Sequence, residues 1–322
     1  MRQVIASAPG KLMIMGEHAV VYGAPCIVTA VDQRVRVAVG PNGEGEIHVK
    51  SPNVGLDEYH KKLSQLGVGE VPKSMTFVEH LIKRVYKRYS ICSGITLTTE
   101  SDFSSLFGFG SSAAVAVATA AALSEYFGLK MSKRDIFDEA YGAVLDVQGV
   151  GSGFDVAASV YGRTIYYVTP GKVIESIFTG ELPLVVGYTG IKADTPTIVR
   201  QVAELKRREK WVDSVFGDIT TLVERAKIAF QGNNFVQLGK LMDRNQELLG
   251  TLNVSSDMLD QLIRSVRKAG TYGAKLSGAG GGDCMIAMVS PELRDAAGEA
   301  IEEAGGAWLK VKTGAEGVRL EV

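Results

Sequence analysis

Short apolar runs, separated by Gly, Pro or Asn, dominate the first hundred residues. The runs are rich in β-branched residues, which is typical of strands. They lie at Val4–Ala6, Cys26–Val31, Val35–Val39, Ile47–Val49 and Ile95–Thr98. One helix is predicted among them at Thr76–Tyr89, where apolar residues recur at helical spacing, and Ser74 is its predicted N-cap. The pattern therefore predicts a mainly β segment with one helix.

Helical spacing becomes more frequent after residue 110. The pattern predicts a helix at Ser112–Phe127, which Gly128 ends, and a second helix at Ser132–Gln148. Ser132 opens the second helix and Asp135 follows three residues later, a variant of the capping box. Two long adjacent helices are thus expected near the middle of the chain.

The second half of the chain combines strands with a longer series of helices. Strands are predicted at Arg163–Val168 and Leu182–Val186, around a turn at Pro170-Gly171. The later predicted elements are helices at Thr195–Arg207, Trp211–Gln231, Asn234–Gly250 and Ser255–Ala269, a strand at Asp283–Val289, a helix near Pro291–Ala304 and a strand at Trp308–Val311. Because a β-rich half meets a helix-rich half near Thr169–Leu182, we predict two domains, residues 1–172 and 173–322.

Composition limits the partners of the protein. The 322 residues are 46% hydrophobic and 22% charged, with 35 Lys and Arg against 36 Asp and Glu. Such a balance gives no general attraction for nucleic acid or an anionic membrane, so we expect neither as a partner. The longest strongly apolar stretch, Ala113–Leu123, is shorter than the about 20 residues of a bilayer span, and no signal segment is apparent. Three widely spaced cysteines fit no disulfide framework or CxxC zinc site, so we expect a cytoplasmic protein.

Three glycine-containing segments are candidates for chemistry. They are Ser7–Lys11 with Gly16–Val21, Phe107–Ala114, and Ser277–Asp283. In the middle segment, Gly108 and Gly110 lack a Cβ and allow a ligand to approach the backbone. Ser111 and Ser112 follow at the start of a predicted helix, where unpaired N–H groups and the helix dipole favour an anion. This segment therefore predicts a phosphate site, although each segment alone is also explained by a turn and close helix packing.

Two common phosphate motifs do not fit. The three Gly-Lys pairs are followed by Leu, Val and Leu, so the GxxxxGK[S/T] motif of P-loop NTPases is absent. The segment Gly108–Ala113 nearly matches the dinucleotide fingerprint, but the preceding Ser101–Leu106 is a poor strand. A Rossmann fold is therefore disfavoured.

Taken together, the order and the amino-acid sequences of the three segments resemble those of the GHMP kinase superfamily. This superfamily includes galactokinases, homoserine kinases, mevalonate kinases and phosphomevalonate kinases. The resemblance extends from Ser7 to Cys284. The segments Ser7–Lys11, Gly16–Gly23 and Gly239–Leu249 look like mevalonate kinases. The segments Gln148–Ala158 and Gly280–Cys284, the latter with its acidic Asp283, are closer to phosphomevalonate kinases.

The resemblance implies an α+β, two-domain fold with ATP and its acceptor bound between the domains. The N-terminal domain would be similar to domain 2 of ribosomal protein S5, and the C-terminal domain would be a ferredoxin-like α+β domain. The implied activity is ATP- and Mg²⁺-dependent phosphorylation of the C5 hydroxyl of mevalonate in isoprenoid biosynthesis. Phosphomevalonate kinase is one alternative, and a nucleotide-binding regulator without turnover is another. The family also suggests a homodimer.

The resemblance also implies roles for individual residues. Asp155 matches the catalytic aspartate and Lys11 the adjacent lysine, which would keep the carboxylate ionised and stabilise the charge of the phosphoryl group. Without the resemblance, Asp155 reads as a helix N-cap and Lys11 as a surface residue. Ser112 would contact Mg²⁺, and both serines would also cap the helix. The implied ATP-binding residues are Gly108, Gly110, Ser111, Ser112, Ala113, Gly278 and Gly280.

One position departs from the mevalonate kinase pattern. Those kinases carry a second metal ligand, a glutamate, eleven residues before the catalytic aspartate, and this chain has Val144 there. Asp146 is a poor replacement because two residues along a helix rotate the side chain by ~200°. We therefore expect phosphates, Ser112 and water to hold the ion. Val144 also motivates the regulator alternative, against which Lys11 and Asp155 argue.

The acceptor pocket is implied on both sides of the cleft. Glu17 and His18 would line it from the N-terminal side, and Lys192 and Thr195 from the C-terminal side. A simple strand-to-helix loop capped by Asp194 explains the latter segment equally well. Because Glu17 would repel a second substrate phosphate, the sequence favours mevalonate over phosphomevalonate. The remaining histidines have no metal-ligand spacing in the sequence, and no role is predicted for them: His48, His60 and His80.

Overall fold

Two β-sheets and their covering helices make up the structure, a computed structural model that describes residues 3–43 and 45–321. Its strands are β1 Val4–Met15, β2 Pro25–Pro41, β3 Glu46–Ser51, β4 Leu56–Lys62, β5 Ile95–Ser101, β6 Thr164–Val168, β7 Val173–Phe178, β8 Leu184–Tyr188, β9 Gly273–Ser277, β10 Cys284–Met288, β11 Ala307–Leu309 and β12 Arg319–Glu321. Its α-helices are α1 Thr76–Tyr89, α2 Ser111–Tyr126, α3 Lys133–Gln148, α4 Phe154–Tyr161, α5 Thr195–Arg208, α6 Trp211–Gln231, α7 Phe235–Thr251, α8 Asp257–Lys268 and α9 Arg294–Glu303. Short 3₁₀ helices lie at Ala19–Tyr22, Pro52–Val54, Leu63–Gln65, Ser105–Phe107 and Pro291–Leu293.

The first sheet has the strand order β12-β1-β2-β5-β3-β4, and β6 pairs with the first part of β2 and with β7. Strands β1 and β2 are longer than predicted, because their antiparallel pairing breaks after Pro9 and Arg34 and resumes at Lys11 and Ala30. A register shift between Pro9 and Lys11 accommodates the turn-forming pair Pro9-Gly10. The shift matters for function, because Lys11 lies directly after it.

Helices α1 to α4 cluster beside the first sheet, and α2 packs directly on β1 and β2. Alanine makes up much of α2 and most of those alanines are buried, which permits close approach of helix and sheet. The predicted range of α1 is confirmed, but its N-cap is Met75 rather than Ser74 and makes no side-chain cap. The capping box of Ser132 and Asp135 at the start of α3 is confirmed.

The second sheet is antiparallel, with the strand order β11-β8-β10-β9. Helix α7 packs on β9, α8 on β9 and β10, and α9 on β8, while α6 contacts α7, β2 and β7 and so joins the two sheets. The four helices predicted between residues 195 and 269 are all present within one or two residues of their predicted ends. The α+β class is confirmed.

The predicted domain division falls inside the first sheet. Strands β6 and β7 lie on either side of residue 172 and pair with each other, and β12 returns from the C-terminal end to pair with β1. The first sheet therefore contains strands from both predicted halves, and the division at 172/173 stays a prediction. Across residues 3–43 and 45–321, no helix is both long and apolar enough for a bilayer crossing.

Candidate active site

The backbone of the loop before α2 lies close to two charged side chains. Gly108 and Gly110 have positive φ angles of 74° and 75°. A Cβ on Gly108 would lie 2.5 Å from Oδ2 of Asp283, and one on Gly110 would lie 3.1 Å from Cε of Lys11. Glycine therefore suits both positions because of the positive φ, and at Gly108 a Cβ would also collide with Asp283.

The N-terminus of α2 opens into this loop. Gly110 occupies the N-cap position and offers no side-chain cap, so the prediction that Ser111 and Ser112 cap the helix is wrong. Both serines are partly exposed, and their hydroxyls form no hydrogen bond with any residue that the structure describes. The first-turn N–H groups and the positive end of the helix dipole favour a bound phosphate here.

Lys11 projects from β1 to the same loop. Its side chain is buried, its Nζ donates to the carbonyl of Gly108 at 2.8 Å, and it lies 5.6 Å from the ring centroid of Phe154. Burial lowers the pKa of Lys11, while the negative charges of Asp155 and Asp283 act in the opposite direction. Lys11 is thus a buried cation beside two carboxylates, which excludes the alternative of a surface residue.

Asp155 lies in the first turn of α4, on the other side of Lys11. The N-cap of α4 is Gly153, with a φ of 81°, so Asp155 is not the cap. One oxygen of Asp155 accepts from the N–H of Val156 at 2.9 Å. A Cβ on Gly110 would lie 3.8 Å from the Cβ of Asp155, which locates the carboxylate beside the start of α2. The N-termini of α2 and α4 therefore converge near Lys11.

Two tyrosines hold the segment that leads into α4. The hydroxyl of Tyr167, on β6, donates to the carbonyl of Ser152 at 2.5 Å. The hydroxyl of Tyr141, on α3, donates to the carbonyl of Gly151 at 2.7 Å. A Cβ on Gly153 would lie 2.8 Å from the hydroxyl oxygen of Tyr167 and 2.9 Å from the ring of Tyr141. These contacts fix the direction in which Asp155 enters the site.

The loop between β9 and β10 is attached to the first sheet. Ser277 exchanges two hydrogen bonds of 3.0 Å with the backbone N–H and carbonyl of Met13. A Cβ on Gly280 would collide with the carbonyl of Val254, whereas the space beside Gly278 is open. The loop is held on two sides and leaves room at Gly278, where ATP binding is predicted.

Asp283 connects the two sides of the cleft. Its Oδ1 accepts from Nζ of Lys192 at 3.1 Å and from the N–H of Ala193 at 3.0 Å, and its carboxylate lies against Gly108. Lys192 is therefore brought to the phosphate loop, and 43% of its side chain remains exposed. Thr195 is exposed at the first position of α5, which Asp194 caps through the N–H of Thr197.

The structure corrects the predicted setting of Glu17. Its side chain is fully buried and forms an ion pair with Lys275, and Asn245 donates to its second oxygen at 3.3 Å. Burial lowers the pKa of Lys275, and the charge of Glu17 partly offsets that effect. Because its charge is neutralised inside the protein, Glu17 does not act as the unpaired negative charge that the sequence argument assumed.

His18 joins two of the glycine-containing segments. One ring nitrogen bonds to the carbonyl of Ala279 at 2.9 Å, and only 5% of the residue is exposed. Burial lowers the pKa of His18, so the imidazole is neutral at pH 7. The residue has a positive φ of 60° at the start of the 3₁₀ helix Ala19–Tyr22.

Comparison with known proteins identifies the family. The family models described as GHMP kinases N terminal domain, GHMP kinases C terminal and Galactokinase galactose-binding signature match residues 76–163, 226–307 and 1–41, respectively. The mevalonate kinase of Thermococcus sibiricus is 35% identical over 99% of this chain and 98% of its own length, and that of Pyrococcus abyssi is 36% identical over the same shares. This chain belongs to the mevalonate kinase family of the GHMP kinases.

Solved structures support the same fold for this GHMP kinase. The L. major mevalonate kinase in complex with R-mevalonate has a TM-score of 0.78 and 26% identity, with 97% of this chain and 95% of that chain covered. A Lin0012 protein from Listeria innocua has a TM-score of 0.89 and 24% identity, with 99% of both chains covered. The two-domain GHMP kinase fold is confirmed.

In this GHMP kinase, Val144 occupies the position where the mevalonate kinase pattern has a glutamate, and this position is apolar and buried. Val144 is buried on α3, and its Cγ1 lies 3.3 Å from where a Cβ on Gly151 would be. Asp146 points to Arg84, with which it pairs at 3.1 Å. Neither residue supplies a free oxygen to the Lys11 and Asp155 centre.

The two partners of Glu17 were missed in the sequence. Lys275 is the one charged residue of β9, whose other members are apolar or small, and a lysine in such a strand signals a buried ion pair. Asn245 lies on α7 among residues with ordinary helical spacing, and nothing in the sequence distinguishes it.

Proposed function

We propose that this protein transfers the γ-phosphoryl group of ATP to the C5 hydroxyl of mevalonate and forms 5-phosphomevalonate for isoprenoid biosynthesis. The observation that carries the proposal is the convergence of Lys11, Asp155 and the N-terminus of α2, in a chain related over 99% of its length to mevalonate kinases. That arrangement combines an anion site, a buried cation and a carboxylate, as phosphoryl transfer requires.

ATP phosphates fit the glycine loop. Gly108 and Gly110 keep the backbone accessible, and Ser111, Ser112 and Ala113 present first-turn N–H groups. On the opposite side, Gly278 and Gly280 belong to the loop that Ser277 and His18 attach to the first sheet. We propose that these glycines contact the nucleotide.

The hydroxyl of Ser112 fits Mg²⁺, because it is partly exposed, has no hydrogen-bond partner among residues 3–43 and 45–321, and lies beside the proposed phosphate site. Hydroxyl oxygens suit this hard cation, which keeps several waters when bound. Bound Mg²⁺ would neutralise charge on the transferred phosphoryl group. Since Val144 offers no oxygen, the protein would supply Ser112 alone, and phosphates and water the other ligands.

Proton transfer is assigned to Asp155. Its carboxylate would accept the proton of the C5 hydroxyl while that oxygen bonds to the γ-phosphorus and the bond to the leaving ADP oxygen breaks. Lys11, which lies between Asp155 and the glycine loop, would stabilise negative charge on the phosphoryl oxygens. Because Lys11 already donates to Gly108, it is held in place before substrates bind.

The acceptor would lie between His18 and Lys192. The ammonium of Lys192 pairs with Asp283 but is 43% exposed, and it fits the carboxylate of mevalonate. His18 would form a hydrogen bond with a hydroxyl group of the acceptor. Thr195 would contact the acceptor from the start of α5. Glu17 is buried, so we assign it to holding Lys275 and the adjacent His18 rather than to contact with the acceptor.

The assay that tests this function measures ADP release with mevalonate, with phosphomevalonate and without acceptor, using one preparation. Fast release with mevalonate alone is expected. A higher kcat/KM for phosphomevalonate would make the protein a phosphomevalonate kinase. Equal slow release in all three would support the regulator without turnover.

We also propose a cytoplasmic homodimer. The three free cysteines, one of them exposed, fit a reducing compartment, and the dimer follows from the family. Light scattering at working concentration tests the dimer, and a mass of one chain would refute it.

A further inference from the structure

A cluster of possible metal ligands lies on the hairpin β3–β4, outside the kinase site. His48 of β3 and His60 of β4 are directly opposite each other in the antiparallel register. Glu46 precedes His48 by two residues and shares its face of the strand, because Ile47 and Val49 are buried on the other face. The strand register thus gives these histidines a shared location that their sequence spacing did not predict.

The three side chains are already close. The rings of His48 and His60 have centroids 4.0 Å apart, and Nε2 of His48 lies 2.6 Å from Oε1 of Glu46. One ligand atom of each residue lies within 4.8 Å of the others. Ligand atoms around a tetrahedral ion are about 3.3–3.5 Å apart, so side-chain rotations would have to close the remaining gap of about 1 Å.

We propose that Glu46, His48 and His60 bind one divalent transition-metal ion of the zinc class. Two imidazoles and a carboxylate favour such ions over Mg²⁺, which prefers oxygen ligands and octahedral geometry. Water would supply the fourth ligand. The proposal is independent of the kinase function, since β2 and β5 lie between this hairpin and the strand that carries Lys11.

Other charged residues lie next to the three proposed ligands. Glu58 lies 3.4 Å from Nε2 of His60 and 3.5 Å from Lys50, so it is placed to orient His60 as an outer carboxylate. Lys62 is opposite Glu46 in the register. The two histidines thus lie between two cross-strand pairs, Lys50 with Glu58 and Glu46 with Lys62, and each pair joins a positive and a negative residue.

A bound ion would hold β4, the outermost strand of the first sheet, to β3. Among the strands that the structure describes, β4 is at the end of the sheet order and pairs with β3 alone. On its inner face, Tyr59 and Lys61 bond to the buried Glu79 of α1. A metal shared by β3 and β4 binds the folded hairpin only and therefore stabilises it.

Calorimetric titration of chelator-treated protein with Zn²⁺, in the presence of excess Mg²⁺, tests the proposal. All proteins carry Cys92→Ser, because that exposed thiol is an alternative ligand. We expect one Zn²⁺ per chain and a Zn²⁺-dependent rise in the thermal midpoint. His48→Asn and His60→Asn should each lower the affinity about tenfold or more, while His80→Asn, on α1, should bind like the parent.

Kinase activity shows whether the variants are correctly folded, because no residue of the cluster belongs to the kinase site. His60→Asn should keep the parent kcat while losing Zn²⁺ affinity. Co²⁺ absorption bands that disappear in both cluster variants would further support the assignment. Absence of Zn²⁺ binding in the parent, or binding that both cluster variants retain within about twofold, would overturn the proposal.

Discussion

Glu17 and Lys275 form an ion pair that is completely removed from solvent. It connects the segment after β1, in the first sheet, to β9 of the second sheet. Asn245 of α7 donates to the second carboxylate oxygen of Glu17. Charges without solvent are tolerated in a protein when they are paired and hydrogen-bonded. The pair therefore fixes how the two sheets meet directly behind His18.

Lys275→Met should destabilise the protein strongly, because it leaves the carboxylate of Glu17 buried without a counter-charge. The expected loss is about 3–5 kcal/mol in the free energy of unfolding, measured by urea denaturation. Combining it with Glu17→Gln should cost less than the sum of the two single losses, since the double variant leaves no charge unpaired. Additive losses would show that the two residues do not depend on each other.

The activity should fall at alkaline pH through Lys11. Burial lowers the pKa of Lys11 from 10.5, so the lysine loses its proton, and with it the stabilising charge, as pH rises through a value below 10.5. The plot of kcat/KM against pH should therefore decline in that range. Saturating ATP should move the decline in kcat to higher pH, because phosphate charge favours the protonated amine. Direct quantification of product measures both pH profiles. If saturating ATP does not shift the alkaline decline, the titration of Lys11 is not its cause.

Gly110→Ala should weaken ATP binding. The substitution imposes a positive φ of 75° on alanine and places a Cβ 3.1 Å from Cε of Lys11. Gly128→Ala is a matched control, because Gly128 has a φ of 63° and open space around the added Cβ. Both variants should lose about 1–2 kcal/mol of stability from backbone strain. ATP affinity, measured by calorimetry, should fall in Gly110→Ala alone, and an equal fall in both would contradict the assigned contact.

Lys192→Ala should raise the KM for mevalonate with little change in kcat. The Asp283 carboxylate that would lose this partner is only 11% exposed but keeps the N–H of Ala193, so the stability should fall by about 1–3 kcal/mol. Loss of a charged contact to the substrate carboxylate should raise KM about tenfold or more. Lys172→Ala, at an exposed lysine outside the cleft, is the control. An unchanged KM would remove Lys192 from the acceptor site.

Local chemistry explains which features were predictable from the sequence. The glycines at 108 and 110 and the capping box at Ser132 reflect backbone needs that only a few residue types meet. The long helices were predictable because a periodic apolar face extends over many residues. The order of the three glycine-containing segments indicated the family, and with it the location of Lys11 and Asp155.

Features that depend on distant neighbours were not predictable. The pairing of Glu17 with Lys275 joins residues 258 positions apart, and the sequence alone presented Glu17 as a free charge. The proximity of His48 and His60 follows from the register of two strands, of which β4 was not predicted because it is polar and charged. Strand β12 is three residues long and pairs with β1, which lies more than 300 positions earlier in the chain, so no local pattern predicts it.

Asp155→Asn is the most direct test of the account, because it removes the proposed proton acceptor without touching the phosphate loop. With saturating mevalonate and ATP, kcat should fall by about 10²-fold or more, as expected for loss of a general base. The affinity for ATP, measured by calorimetry, should stay within about threefold of the parent. A variant that keeps more than about a tenth of the parent kcat would contradict the assignment of Asp155 as the catalytic base.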